Sequence, residues 1–96
     1  MLEIRPVCEH CGKNLLANST EAMICSFECT FCKDCTDTVL HNVCPNCGGG
    51  LQMRPVRPQE MLIKHPPVTL KIHNPVKPEQ FKLLFTKYKD ILPEKR

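Results

Sequence analysis

The sequence predicts a small α+β fold built of loops, a short β-hairpin and one short helix, followed by an extended arm and a C-terminal amphipathic helix. All eight cysteines of the 96-residue chain lie in its first half, in four close pairs. Prolines are concentrated in the middle of the chain, and apolar residues at helical spacing follow near the end. We therefore divide the chain into a cysteine module at residues 1–50, an arm at residues 51–77 and a helix at residues 78–92.

The cysteine spacing indicates metal ligation. The pairs are Cys8/Cys11, Cys25/Cys29, Cys32/Cys35 and Cys44/Cys47. A Cys-x-x-Cys step can curl so that both thiolates face one tetrahedral ion. Four such pairs supply eight ligands, which is enough for two closed all-cysteine sites. We predict two Zn²⁺ ions.

Two other uses of cysteine fit the sequence less well. A disulfide framework needs an oxidising compartment, but the residues from Met1 to Pro6 have no signal-peptide pattern. Redox chemistry of the thioredoxin type needs a βαβ frame, which the sequence lacks. No run approaches the ~18 apolar residues of a membrane span. We therefore expect a cytoplasmic protein with no membrane association.

The apolar residues of the module are too few to hold it together. They are Leu15, Leu16, Met23, Ile24, Phe27, Phe31, Val39, Leu40 and Val43. Such a core cannot offset the ordering entropy of about fifty residues. Structural zinc contributes roughly 10 to 16 kcal/mol in small zinc peptides, so folding and metal loading should be one event.

Charge divides the chain in two. Residues 1–50 hold three basic and six acidic residues, a formal charge of −3, whereas residues 51–96 hold ten basic and four acidic residues, or +6. A zinc ion with four thiolates adds two negative charges per site. An acidic module is a poor partner for phosphate backbones, so any nucleic acid would have to bind the basic tail.

Local patterns place the cysteines on turns, strands and a helix. Glycine follows the first and last pairs, as Gly12 and Gly48, and can take the positive φ that turns N–H groups toward thiolates. Residues 22–25 and 29–32 are predicted to pair as a hairpin, and residues 33–41 to form a helix of about two turns that Asn42 ends.

The arm contains most of the prolines and is predicted to be extended. Alternation of apolar and polar residues favours one strand at residues 68–72. The helix that begins at Pro78 carries an apolar stripe until Pro93 stops it. We expect this stripe to pack on the strand or on the module; docking on a partner is the alternative.

The four pairs can be divided between two ions sequentially, by nesting or by interleaving. Cys32 and Cys35 enter the helix, while Cys25 and Cys29 flank the hairpin tip at its other end. Separation of these pairs disfavours nesting, and geometry favours interleaving. Cys8, Cys11, Cys32 and Cys35 then form site 1, and Cys25, Cys29, Cys44 and Cys47 form site 2.

The order C-x2-C-x13-C-x3-C-x2-C-x2-C-x8-C-P-x-C, with Phe31 before the fifth ligand, resembles an all-cysteine RING finger. That resemblance implies a RING-like, treble-clef cross-brace, which is the interleaved scheme. Residues 1–75 also resemble a family of small bacterial cysteine-rich proteins of unassigned function, most clearly at Ile24 to Cys32, Val43 to Gly49 and Arg54 to Pro58.

Ubiquitin-ligase activity, which a RING finger implies, is disfavoured at two positions. Glu9 and His10 occupy the first ligand loop where an apolar residue is expected, and Gly48 replaces the cationic residue after the last ligand. Only Pro45, with Val39 or Leu40, fits the carrier-binding pattern.

No feature of the sequence indicates catalysis. Eight cysteines would fill both ions and leave no coordination position for water. His10, His41, His65 and His73 lack motif spacing, so we expect exposed or hydrogen-bonding roles, although His10 lies where it could replace Cys8 or Cys11. We predict a protein-binding adaptor that is not an enzyme, with an unidentified protein as partner.

Two alternatives to the adaptor remain. Nucleic-acid binding would depend on basic residues of the tail, although aromatic stacking residues are absent among them. These residues are Arg54, Arg57, Lys64, Lys71 and Lys77. Zinc buffering or redox sensing would depend on labile thiolates.

Overall fold

A computed structural model describes all 96 residues of the chain. Three short strands form one antiparallel sheet in the order β2-β1-β3. The strands are β1 (Ala22–Ile24), β2 (Thr30–Cys32) and β3 (Gln52–Met53). The helices are α1 (Lys33–Cys35, continued as a π-helix over Thr36–Leu40), α2 (Gln59–Lys64) and α3 (Pro78–Tyr88). A 3-10 turn at Pro93–Lys95 follows α3.

The predicted hairpin and both glycine turns are confirmed. Strands β1 and β2 pair antiparallel with Met23 opposite Phe31. Gly12 and Gly48 have φ values of 79° and 80°. Each glycine N–H donates to the carbonyl of the cysteine four residues earlier, at 3.0 Å in the first turn and 2.8 Å in the second. The two turns are therefore copies of one backbone motif.

Helix α1 has a wider turn over most of its length than the regular α-helix that the sequence predicts. Its first turn at Lys33–Cys35 is α-helical, and it continues as a π-helix over Thr36–Leu40. The hydroxyls of Thr36 and Thr38 donate to the carbonyls of Cys32 and Asp34, where they compete with backbone donors. His41 and Asn42 then adopt positive φ and end the helix, as the sequence predicts for Asn42.

The sheet extends past the predicted module boundary at residue 50. Strand β3 pairs with β1, so Met53 lies opposite Met23. Arg54 follows at once and is 1% exposed. Its guanidinium donates to the carbonyls of Arg5 and Leu16, both at 2.9 Å. The sequence does not predict β3, and it names Arg54 among the basic residues on which nucleic-acid binding would depend, a role for which a buried guanidinium is not accessible.

Cysteines make up half of the small core. The buried cluster contains ten residues, of which five are cysteines. Its other members are Leu15, Ala22, Phe31, Leu40 and Leu51. Leu16 and Phe27, which the sequence counts among the apolar residues, are instead 72% and 71% exposed.

The arm departs from the prediction in two places. Residues 68–72 form no strand; within them only the Val68 N–H bonds to the module backbone, at the Ile4 carbonyl. Alternation alone does not create a strand when no sheet edge is within hydrogen-bonding reach. Helix α2 forms where the sequence predicts extended chain, because the segment between Pro58 and Pro66 is free of proline. Arg57 donates to the carbonyls of His65 and Leu2, which ties α2 to the N-terminal segment.

Helix α3 packs on the cysteine module, which is one of the arrangements predicted for its apolar stripe. It ends at Tyr88, four residues before the predicted end at residue 92. Proline at position 93 holds Leu92 in an extended conformation, with ψ at 141°, so the helix cannot include residue 92. None of the helices has the length and apolar character that crossing a bilayer requires.

We predict that Arg54→Ala lowers the free energy of unfolding of the metal-loaded protein by about 3 kcal/mol, because two carbonyls lose a charged donor and a cavity remains. Arg54→Lys should recover only part of this loss, since an ammonium lacks the planar fork that spans both acceptors. Denaturant unfolding at constant free zinc measures the change. Lys71→Ala, at an exposed position, is the control. Equal stability of Arg54→Ala and Lys71→Ala would contradict the structural role.

Candidate metal centres

The first cysteine cluster joins the first and third pairs of the sequence. The Sγ atoms of Cys8, Cys11, Cys32 and Cys35 all lie within 4.8 Å of one another. The Sγ atoms of Cys11 and Cys32 are 3.8 Å apart. Four Zn–S bonds of about 2.3 Å in a tetrahedron place sulfurs about 3.8 Å apart. The cluster therefore has the size and donor chemistry of a tetrahedral metal site.

Three local structures bring these four thiols together. The first glycine turn presents Cys8 and Cys11, while Cys32 ends β2 and Cys35 lies on the first turn of α1. The Cys35 N–H donates to the Cys32 sulfur at 3.4 Å. Cys8, Cys32 and Cys35 are buried and Cys11 is exposed. One thiol of this cluster is therefore open to solvent.

The second cluster joins the second and fourth pairs. The Sγ atoms of Cys25, Cys44 and Cys47 lie within 4.8 Å of one another. Cys29 is outside this mutually close set, but the Cys44 and Cys25 thiols are close enough to shift the pKa of its thiol. The Gly49 N–H donates to the Cys47 sulfur at 3.4 Å, so the second glycine turn supports the cluster. Four thiols thus also converge here, with Cys29 at the edge.

Ionisation within the second cluster is uneven. The hydrogen bond with the Cys44 thiol lowers the pKa of Cys29 to about 5. That same shared proton, together with burial, raises the pKa of Cys44, and burial raises the pKa of Cys25 to about 11. The Cys29 sulfur therefore carries the charge while Cys25 and Cys44 stay protonated. A dication compensates several thiolates at once, so metal binding would release the remaining protons.

The spatial arrangement of the thiols corresponds to the interleaved scheme. Both clusters could hold metal ions, and their all-sulfur donor set is consistent with zinc. Ligation by each individual cysteine stays a prediction.

The histidines lie outside both clusters. The Nδ1 atom of His10 accepts a hydrogen bond from the Val76 N–H at 2.9 Å, and the His10 carbonyl contacts Nε2 of His73 at 3.1 Å. The rings of His41 and Phe85 are in tilted contact, with centroids 5.6 Å apart. His10 thus joins the first ligand loop to the arm.

Glu9 is a buried residue that links the two clusters, and the sequence gives no sign of this role. Its carboxylate accepts the Thr30 N–H at 2.9 Å and the Asn46 amide at 3.3 Å. Asn46 lies between Cys44 and Cys47, so the bond ties one ligand loop to the other. Burial raises the pKa of Glu9, and the Arg5 guanidinium, at 3.6 Å, partly offsets this effect. From the sequence alone, a glutamate between two cysteines of a ligand loop would be expected to be exposed to solvent.

Comparison with known proteins identifies the family. Residues 1–57 match a family described as a protein of unknown function, DUF1272. The chain belongs to the DUF1272 family. An uncharacterised protein of Rhizobium meliloti (strain 1021) is 53% identical over 75 residues, which cover 78% of this chain and 89% of the relative. No solved structure matches the chain.

The DUF1272 match ends at residue 57, so it includes all eight cysteines, the three strands and the buried Arg54. The predicted resemblance to a small cysteine-rich family of unassigned function is thereby confirmed. Helix α3 lies beyond the matched residues.

Replacing Cys32 with Ser separates the possible pairings of ligands. We expect the variant to retain one ion at Cys25, Cys29, Cys44 and Cys47, because interleaving places Cys32 in the other site. Cadmium-113 NMR of the substituted protein should show one four-sulfur resonance that disappears when Cys44→Ser is added. Cys11→Ser is the matched control and should leave the same resonance. Sequential pairing would instead keep the resonance in the double variant with Cys44→Ser, at Cys8, Cys11, Cys25 and Cys29.

Proposed function

We propose that this protein is an adaptor of the bacterial cytoplasm, in which two structural zinc ions hold a RING-like, treble-clef cross-brace that binds another protein. The observation that carries the proposal is the convergence of all eight thiols in two clusters. Four sulfurs fill the coordination sphere of a tetrahedral ion, so neither site offers a position for a reacting water. Free thiols at both sites agree with a reducing compartment.

The hairpin tip offers a contact point for a protein partner. Phe27 is 71% exposed, and it lies between Cys25 and Cys29 on a tight turn in which the Glu28 N–H donates to the Cys25 carbonyl. The Glu28 carboxylate accepts the Glu3 N–H, which restrains the turn further. An exposed aromatic side chain on a restrained turn loses little entropy on binding, which is typical of interface hot spots.

A groove lies beside this tip. It has a volume of about 590 Å³ and an apolar lining that includes Leu2, Ile24, Met53 and Pro55. Ser26 of the tip borders the same groove. Phe27 and the groove together support protein recognition rather than phosphate recognition.

Nucleic-acid binding loses two of its five candidate residues. The guanidinium groups of Arg54 and Arg57 are both bonded to backbone carbonyls. Lys64, Lys71 and Lys77 remain exposed. Three dispersed lysines support weak electrostatic contact with phosphates, without the aromatic side chains that stack on bases.

The adaptor proposal is tested by comparing Phe27→Ser with Leu16→Ser. Leu16 is also exposed and apolar but lies away from the hairpin tip, so its replacement is the matched control. We expect the zinc-loaded wild type and Leu16→Ser to retain the same protein from extract of the producing cell. Phe27→Ser should retain at least about tenfold less, because a buried aromatic anchor contributes 2 kcal/mol or more. Chelation should abolish retention and added zinc restore it.

Two results would contradict the adaptor proposal. One is equal retention by Phe27→Ser and Leu16→Ser, or retention that survives chelation. The other is retention of oligonucleotides with a steep dependence on salt and no specific protein, which would favour the nucleic-acid alternative.

A further inference from the structure

Helix α3 covers one particular face of the cysteine module. The Tyr88 ring lies so close to Gly48 that a Cβ there would be 2.5 Å from it. The Phe85 ring is in tilted contact with His41 at the end of α1. Pro93 contacts Gly50, where a Cβ would lie 2.8 Å from the proline ring. The covered face therefore consists of the second glycine turn and the end of α1, and it has no side chains at two of its contact points.

Carbonyl groups on this face accept a cation. The Arg96 guanidinium donates to the carbonyls of Asn42 at 2.8 Å and Gly48 at 3.0 Å. Both acceptors belong to turns in which positive φ directs the carbonyl away from regular structure. Aromatic contacts and one charged hydrogen-bond pair thus hold the segment in place.

The packing under α3 is incomplete. No residue of the helix is buried, although Phe81 packs against the edge of the core. A groove of about 450 Å³ remains between α3 and the module, lined by Val39, His41, Phe81 and Phe85 among others. The chain leading to α3, residues 66–77, has no helix or strand. Low burial and an irregular connection make the release of α3 less costly than unfolding of the module.

Charge on the two parts is complementary. The cysteine module has a formal charge of −3 before metal loading, and two zinc ions with four thiolates each make it more negative. Residues 66–96 hold seven basic and three acidic residues, or +4. A basic helix is therefore attracted to the module as a whole.

We infer that this face is a helix-docking surface, that α3 is its intramolecular occupant, and that its partner is a protein presenting a basic amphipathic helix with aromatic residues at i, i+4 and i+7. That spacing is the one at which Phe81, Phe85 and Tyr88 stand in α3. The partner must displace α3, so the intramolecular contact lowers the apparent affinity of the module for the partner. This inference rests on the proposed function in one respect, namely that the module binds proteins.

A peptide with the sequence of residues 76–96 is the probe, and the full-length zinc-loaded protein is the receptor. The apparent affinity is reduced by the fraction of receptor in which α3 occupies the face. The double variant Phe85→Ala/Tyr88→Ala weakens the intramolecular occupant and leaves the face intact. We expect it to bind the peptide at least about tenfold more tightly than the wild type, with an affinity that falls as salt rises. Leu83→Ala, which alters a side chain that is 78% exposed, should match the wild type.

A second variant changes the face side rather than the helix. Gly50→Ala places a methyl group against Pro93 and keeps every aromatic residue of α3. It should bind the peptide no more tightly than the wild type, because Pro93 of the peptide meets the same methyl group, and added to Phe85→Ala/Tyr88→Ala it should weaken the binding that the double variant gains. Two zinc equivalents in each variant establish that the module is folded.

Equal peptide affinity in the wild type, Leu83→Ala and Phe85→Ala/Tyr88→Ala would overturn the inference, and so would the absence of peptide binding to any of them. Either result leaves the adaptor proposal standing if Phe27-dependent retention of a protein is still observed. Loss of that retention with peptide binding preserved would instead contradict the adaptor proposal alone.

Discussion

Convergence of eight thiols in two places is the constraint on which the rest of this structure depends. Half of the ten-residue core consists of cysteines, and the rest is one phenylalanine, three leucines and one alanine. A core of this size cannot offset the conformational entropy of the chain that it orders. The same thiols hold mostly protons while no cation compensates them, since burial and shared hydrogen bonds raise the pKa of Cys25, Cys35 and Cys44. A bound metal ion would turn this unfavourable group of sulfurs into the strongest cross-link of the fold.

Interleaving makes the stability of each cluster depend on the other. Each cluster takes one pair from a glycine turn and one from the hairpin or helix, so each ion would close a loop that contains ligands of the other, and loss of one ion would weaken the second site without removing its ligands. Glu9 strengthens this dependence, because its carboxylate joins the first ligand loop to Asn46 of the second. Buried charge of this kind is costly unless it is fully hydrogen-bonded, and Glu9 has donors on both oxygens.

Local patterns predict the cysteine-bearing elements because their geometry is local. Positive φ at Gly12 and Gly48, the hairpin and the end of the helix at Asn42 all follow from short-range rules. The roles of Arg54 and Glu9 do not, since each depends on acceptors or donors more than twenty residues away. The strand expected at residues 68–72 fails for a related reason: its alternation has no sheet edge to pair with. For the candidate site, spacing predicts which cysteines cluster, while the support that Gly49, Thr30 and Asn46 provide emerges only from the folded chain.

The account is tested most directly by metal analysis of reduced protein, purified without added zinc, combined with its hydrodynamic radius before and after chelation. We predict two zinc equivalents per chain and expansion to an unfolded radius when a chelator removes them. Fewer than two equivalents, together with a chain that stays compact in the chelator, would contradict the central claim that metal bound by sulfur holds this fold together.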